Sequence, residues 1–336
     1  MQGSGNPSQI GGTATGRGRF PLPLSSVQAY WNPEQLEAAY AAANVELTLT
    51  SHAPFEARVV RVEFEKIWMQ QVYERAPRVK HATQTPGRAF IKFLPLPGQE
   101  LVTQGAALPF DGVLRHSEGH CYNDRTTREV NWAGMSLPVE TLVTEGIAVG
   151  GCDLTPPRNY SVVVPPSDAM TRLRRLHAAT SALAEKAPAV LEAPSVARGL
   201  EQSLMEALVA CLSGSDVRET TWGQRSHETI MRRFYRLLED NPDRAIYMPE
   251  ICVAIRVPER TLRICSHEHL GMSPKHYLLL RRMNLAHRAL RLADATDTTV
   301  TEVATRFGFW HFGRFAGEYR AIFGERPSVT LGHQPN

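Results

Sequence analysis

An α+β multidomain chain is predicted, in which a β-rich N-terminal domain and a pair of helices precede an all-α domain made of two helix-turn-helix units joined by a long helix. Three observations predict it. The 336 residues exceed what one hydrophobic core usually serves. Apolar residues come in short runs cut by Pro and Gly before Pro166 and at helical spacing after it. Charge is also uneven, because residues 225–327 hold 17 Lys and Arg against 12 Asp and Glu in a chain of net charge +3.

At 43% apolar and 21% charged residues the chain can afford a large core, and it lacks a collagen-like or disordered composition. Residues 1–20, MQGSGNPSQIGGTATGRGRF, are rich in Gly, Ser and Thr without an apolar run, which predicts a flexible tail rather than a secretory signal. No stretch of about eighteen apolar residues occurs, so no membrane helix and a cytoplasmic location are expected. Cys121, Cys152, Cys211, Cys252 and Cys265 are odd in number and widely spaced, without a CxxC pair. That pattern predicts reduced, mostly buried thiols and neither a disulfide framework nor a zinc knuckle.

Residues 21–166 form the predicted β-rich domain. FEARVVRVEF, RAFIKFLPLPG and YSVVVPP read as strands between turns. WNPEQLEAAYAAANVEL is the exception, with Pro33 at a helix start and Leu36, Ala39 and Tyr40 at helical spacing. Residues 167–212 form a helical pair. Ser167 or Asp168 caps a first helix carrying Met170, Leu173, Leu176 and Leu183; a second, Ser195 to Leu212, carries Leu200, Leu204, Ala207, Leu208 and Cys211. These stripes suit packing either on the β domain or on a second subunit. Residues 213–224 are polar and read as a linker.

Residues 225–336 form the helical domain. A helix at Ser226 to Asp240 turns Ile230, Phe234 and Leu237 or Leu238 to a core. The first unit, about 248–269, opens at Pro249, uses Ala254 as a small contact, turns at Val257 and Pro258, and turns Leu262 and Cys265 inward. Glu259, Arg260, Arg263 and His267 then face outward. Gly271 suits a left-handed helix end. PKHYLLLRRMNLAHRALRLA follows as a rod of ~30 Å, at ~1.5 Å per residue, close to the ~34 Å of one DNA turn. In the second unit, about 299–323, Thr298 or Thr299 caps a helix with Val300, Val303 and Ala304 inward, and Gly308 makes the turn. Phe312, Phe315, Tyr319 and Phe323 are expected to be buried, leaving His311, Arg314 and Glu318 outside. Gly313 and Gly317 are poor helix formers, by ~1 kcal/mol each, and mark close approach either to a phosphate backbone or to the long helix.

The string TVTEVATRFGFWHFGRFAGEYRAIFGERPSVTL resembles the signature of the AraC/XylS transcription regulators, and Leu262, Gly271, Ser273, Pro274, Tyr277, Arg282, Ala286, Ala289 and Leu290 fit that family's first half. The resemblance covers residues 225–332. It implies a transcription regulator, most often an activator, whose two recognition helices enter successive major grooves of double-stranded DNA. The same resemblance implies RNA polymerase as a partner, a homodimer, and a cupin-like N-terminal barrel that answers a small-molecule effector. Base-edge contacts are expected from Arg260, Arg263, His311 and Arg314, with Glu259 and His267 on the same outward faces. Lys275, Arg281 and Arg320 are candidates for phosphate contacts, and Trp310 for a sugar contact or a clamp on the helix start.

Trp68, Phe90, Phe93, Tyr122 and Trp132 are candidates to line an effector pocket, although aromatic residues on barrel strands also serve as simple core. HSEGHC, His116 to Cys121, brings two histidines, a glutamate and a thiol together but lacks the alternating HxH of a metal-binding cupin, so no metal and no cofactor are expected. Two alternatives remain. One is a cupin-type metal enzyme with a helical appendage, for which no metal triad or acid–base pair is found at convincing spacing. The other is a DNA-binding regulator whose N-terminal domain is a ligand-free interaction module.

Overall fold

The computed structural model describes residues 24–40, 43–214, 216–218, 222–241 and 244–332. The expected flexible tail lies outside them, as does part of the expected linker.

The N-terminal region is two antiparallel sheets. The first contains β1 (Leu24–Tyr30), β3 (Ala57–Glu63), β4 (Trp68–Glu74), β6 (Arg88–Phe93), β9 (Val113–His116), β11 (Val130–Pro138), β12 (Tyr160–Val164) and β13 (Asp216–Arg218), in the order β1-β3-β4-β11-β6-β9-β12-β13. The second contains β2 (Ala43–Leu49), β5 (Arg78–Gln84), β7 (Val102–Thr103), β8 (Ala106–Ala107) and β10 (Cys121–Thr126), in the order β2-β5-β10-β7-β8. Among the described residues hydrogen bonding leaves both sheets open at their edges, so the cupin-like barrel implied by the resemblance is not closed there.

Period-two alternation divides the first sheet between two cores. Val59, Phe90, Leu114 and Trp132 face the second sheet, whereas Val60, Ile91, Val113 and Ala133, their chain neighbours, face helices. Those helices are α2 (Val139–Gly150), α3 (Ser167–Lys186), the short α4 (Pro188–Leu191) and α5 (Pro194–Ser213). Met170, Leu173, Leu204, Ala207, Leu208 and Cys211 are buried against the sheet, so both predicted stripes are used within the chain. Pro166, rather than Ser167 or Asp168, occupies the N-cap of α3 and makes no side-chain cap. The helix predicted from Pro33 ends early: α1 is Pro33–Ala39, capped by the Asn32 side chain, and its continuation Asn44-Val45-Glu46-Leu47 lies in β2.

The C-terminal region contains α6 (Trp222–Glu239), α7 (Met248–Ile255), α8 (Glu259–Leu270), α9 (Pro274–Leu292), α10 (Val300–Arg306), α11 (Phe312–Phe323) and α12 (Pro327–Gly332). One core lies under α6, α7 and α8 around Phe234, Ile251, Leu262 and Cys265. A second lies under α10 and α11 around Val303, Ala304, Phe315 and Tyr319. The 19 residues of α9 supply Tyr277 and Leu278 to the first core and Met283, Ala286 and Leu290 to the second. Val79 of β5 belongs to the first of these cores, so this domain rests on the outer face of the second sheet.

Candidate nucleic-acid interface and buried cavity

Both helix-turn-helix turns close in the same way. In the first, Arg256 is left-handed at φ 56° and the Val257 amide donates to the Cys252 carbonyl at 3.1 Å. In the second, Gly308 is left-handed at φ 77° and the Phe309 amide donates to the Ala304 carbonyl at 2.9 Å. Thr299 caps α10 in a capping box with Glu302. Ile251 and Ile255 make the inward contacts of α7, and Ala254, expected among them, is exposed.

The helices after these turns are one-sided. Leu262 and Cys265 are fully buried on α8, while Glu259, Arg260, Arg263 and His267 are exposed. The Arg263 guanidinium donates to Glu259 at 3.0 Å, an exposed pair worth only ~0.3–0.5 kcal/mol and readily exchanged for another acceptor. On α11, Phe315 and Tyr319 are buried, while His311, Arg314 and Arg320 are exposed and Arg314 donates to Glu318 at 2.8 Å. Phe312, expected to be buried, is 42% exposed. It opens the helix, and helical side chains lean toward the N-terminus, so its ring overhangs the supporting core.

A Cβ added at Gly313 or Gly317 would meet no atom within 4 Å apart from the nearby backbone of its own helix. Contact with the long helix therefore does not explain these glycines. With Arg320 they fall at i, i+4 and i+7, one stripe of the outer face of α11. Lys275, Trp310, His311 and Arg314 come together with His276 and Arg282 around a cleft of about 440 Å³ between the start of α9 and the start of α11. Trp310 is 65% exposed at its edge.

Arg281, expected at a phosphate, is placed elsewhere. It is 5% exposed and donates to both carboxylate oxygens of Glu46 on β2, at 2.6 and 2.8 Å. Three residues on, Asn284 accepts from the Leu49 amide at 3.0 Å and donates to the Leu49 carbonyl at 3.1 Å, in the manner of a further strand on the edge of β2. Arg288 pairs with Glu37 at 3.1 Å, and His120 with Glu228 at 3.3 Å. These contacts hold the C-terminal domain on the second sheet and on α1 beside it. None was visible in the sequence, since each joins residues more than one hundred positions apart.

Between the sheets lies a cavity of about 20 Å³ with Trp68, Phe90, Tyr122 and Trp132 among its walls. Phe93 is not there. Lying three residues beyond Phe90 on one strand, it points to the opposite face, where it meets His177 edge-on at 5.3 Å. The charged groups of this interior were missed. Arg78 pairs with Glu74, Lys92 with Asp124, and Lys80 with Asp124 at 3.2 Å, all at most 1% exposed. The Lys80 ammonium sits 4.5 Å from the Trp132 ring centre, and that of Lys92 lies 4.8 Å from Tyr122. Burial pushes Lys92 down to about 7 against the pull of Asp124. Burial opposes ionisation of Asp124 as well, yet Lys92, Lys80 and Arg78 together hold its carboxyl well below the usual range. His116 and His120 of the HSEGHC run do not share a ligand set: His116 lies between Phe90 and Tyr122, and His120 faces Glu228.

Two one-sided helices, each behind a tight left-handed turn and joined by a long helix, define a double helix-turn-helix domain. Residues 251–333 match a family model described as "Helix-turn-helix domain". Over 125 residues the chain is 34% identical to the XylDLEGF operon transcriptional activator 3 of Pseudomonas putida, a match covering 37% of each protein. Over 106 residues it is 36% identical to a probable thc operon regulatory protein of Rhodococcus erythropolis, covering 32% of each. The chain thus spans about a third of the length of these relatives. Among solved structures, the AraC-like transcriptional activator CuxR aligns with 80% of this chain and 96% of its own at 14% identity and a TM-score of 0.41. A probable AraC family regulator from Rhodopseudomonas palustris aligns with 30% of this chain and 94% of its own at 33% identity and a TM-score of 0.28. The C-terminal domain is similar to that of AraC/XylS family transcription regulators.

Proposed function

We propose that the whole chain is a sequence-specific DNA-binding transcription activator that places α8 and α11 in successive major grooves on one face of a duplex. The observation that carries this reading is the pairing of two exposed cation-bearing helix faces by one helix of 19 residues, ~28 Å long. Glu259, Arg260, Arg263, His267, His311 and Arg314 read base edges, whereas Lys275, Trp310 and Arg320 hold phosphate and sugar. Arg281 has no part in this contact. RNA polymerase is the downstream partner, a homodimer the acting form and the cytoplasm its place; among the described residues, no helix is long and apolar enough to cross a membrane.

The N-terminal domain answers a small effector at the cavity lined by Trp68, Phe90, Tyr122 and Trp132. Three cationic side chains against two carboxylates, set among aromatic rings, favour a flat anion such as an aromatic carboxylate. The free volume of about 20 Å³ holds one water, so entry requires half-buried Trp68 and Tyr40 at the wall to move.

Selection of genomic fragments by the purified chain tests the DNA reading, with two short sequence blocks one helical turn apart as the expected motif. Arg263→Ala then costs ~1–3 kcal/mol at one base pair, while Lys275→Ala weakens all sequences alike and lowers the salt slope by about one. Uniform loss in both variants over a panel of operator sequences refutes the base-reading role of Arg263.

A further inference from the structure

We propose a divalent transition-metal site, best suited to zinc, formed by His81, Cys121 and Glu239 where the C-terminal domain meets the second sheet. Strand register sets two of the ligands. His81 on β5 lies opposite Asn123 on β10, and Thr83 lies opposite Cys121, so all four side chains share the sheet face that meets α6. Glu239 is the last residue of α6 and reaches that face from the other domain. A ring nitrogen of His81, Cys121 Sγ and a Glu239 carboxylate oxygen all lie within 4.8 Å of one another, and His81 Nε2 is 2.9 Å from Glu239 Oε1. Zinc bonds of ~2.0–2.3 Å in a tetrahedron put such ligand atoms ~3.3–3.8 Å apart, so closing the widest gap by about 1–1.5 Å completes the set.

The surroundings favour a cation over a plain hydrogen bond. Asn123 Nδ2 donates to Gln104 Oε1 at 3.4 Å, which turns Asn123 Oδ1 toward His81 Nδ1 at 3.0 Å. Nδ1 is therefore held by Asn123, and Nε2 is left facing the Glu239 carboxylate. A side-chain oxygen holding one ring nitrogen while the other faces the remaining ligands is the support that metal-bound histidines receive. The His81 ring is stacked on Tyr235 with centroids 4.2 Å apart and planes within 2°, which holds its orientation. The Thr83 hydroxyl sits 3.2 Å from Cys121 Sγ and 3.5 Å from Glu239 Oε1, beside the open fourth position. With an ion bound, the deprotonated Cys121 sulfur and the Glu239 carboxylate would supply two negative charges, which a divalent ion cancels, and sulfur with nitrogen selects zinc over magnesium or calcium. Two ligands come from the N-terminal domain and one from the helix that leads into the first helix-turn-helix unit, so the ion fastens the two domains together. The proposal stands apart from what the C-terminal domain binds.

The test is cobalt(II) titration of the full-length, metal-stripped, reduced chain, followed by zinc competition against a chromophoric chelator. The expected result is a thiolate-to-cobalt charge-transfer band saturating at one equivalent. Cys121→Ser abolishes the band, and Glu239→Gln and Asn123→Ala each weaken zinc binding by about 10-fold to 100-fold or more. Circular dichroism confirms that the variants remain folded. Absence of the band, or its survival in Cys121→Ser, overturns the site and leaves a hydrogen-bonded His–Glu pair only. Loss of the band in Cys121→Ser together with unchanged affinity in Glu239→Gln overturns the bridge between domains.

Discussion

Gly317→Ala should make this protein more stable and a poorer DNA binder, two effects that a structural role for the glycine does not produce together. Gly317 lies in the interior of the twelve-residue α11, where glycine costs ~1 kcal/mol relative to alanine. A Cβ there meets nothing within 4 Å apart from the nearby backbone of its own helix, so no packing cost offsets the gain, and unfolding should shift upward by about that 1 kcal/mol. Gly313, second in the helix, should gain less. The binding cost comes from outside the chain. Gly313, Gly317 and Arg320 form one stripe, and a phosphate backbone lying on it at van der Waals distance from Cα has no room for a methyl group. A tenfold loss, ~1.4 kcal/mol, is the least expected for Gly317→Ala. Urea unfolding at unchanged m reads the first effect, and fluorescence anisotropy with the selected operator reads the second. A more stable variant that binds with native affinity refutes the close-approach argument. A less stable one refutes the open space around Gly317.

Three further outcomes follow from named contacts. Glu46→Ala leaves Arg281 buried without its carboxylate, a loss of ~3–5 kcal/mol that should undock the domains and split one urea transition into two; Arg281→Met in that background should restore much of the docking, and a single unchanged transition in Glu46→Ala refutes the role of the pair. Gly308→Ala forces a side chain to φ 77° and sets its Cβ 2.8 Å from that of Ala245, so thermal unfolding should show a loss of ~1–2 kcal/mol or more. Burial pushes His287 down to about 3 and His269 to about 4, below the ordinary 6.5. The unfolded chain therefore takes up protons first, and stability should be full above pH 6.5 and fall toward pH 3–4, by up to ~1.4 kcal/mol per pH unit for each histidine. Urea midpoints between pH 7 and 5 measure this slope, and His287→Gln should make it shallower; an unchanged slope counts against His287.

The helices were legible because their signal is local. Leu262 and Cys265 on α8, or Phe315 and Tyr319 on α11, repeat at helical spacing, and Gly308 marks its turn without help from distant residues. What escaped is non-local or depends on parity. Arg78-Val79-Lys80-His81 alternates charge with apolarity as a surface strand does, yet both faces of β5 are buried: one meets the aromatic interior and the other the C-terminal domain. Charged residues inside a sheet sandwich are rare enough that sequence pattern argues against them. Phe93 could have been separated from Phe90 by counting, since residues three apart on a strand face opposite ways. Arg281 could not have been separated from Lys275, because only the fold shows that Glu46 waits for one of them.

β5 is also where the two halves of the proposed function meet. Lys80 lies at the cavity, and its neighbours Val79 and His81 support the helical core and contact Glu239. An anion that draws Lys80 away from Asp124 acts on a strand whose alternate residues carry the DNA-binding domain, with no intervening loop to absorb the shift. Under the proposed function that shift would pass to the docking contacts at Glu46 and Leu49 or to the spacing of α8 and α11. Coupling of this kind is reciprocal: if an effector changes operator affinity by some factor, operator DNA must change effector affinity by the same factor. Equal factors in the native chain, both reduced to one by Lys80→Met, place the coupling on this strand, whereas undiminished coupling in that variant places it elsewhere.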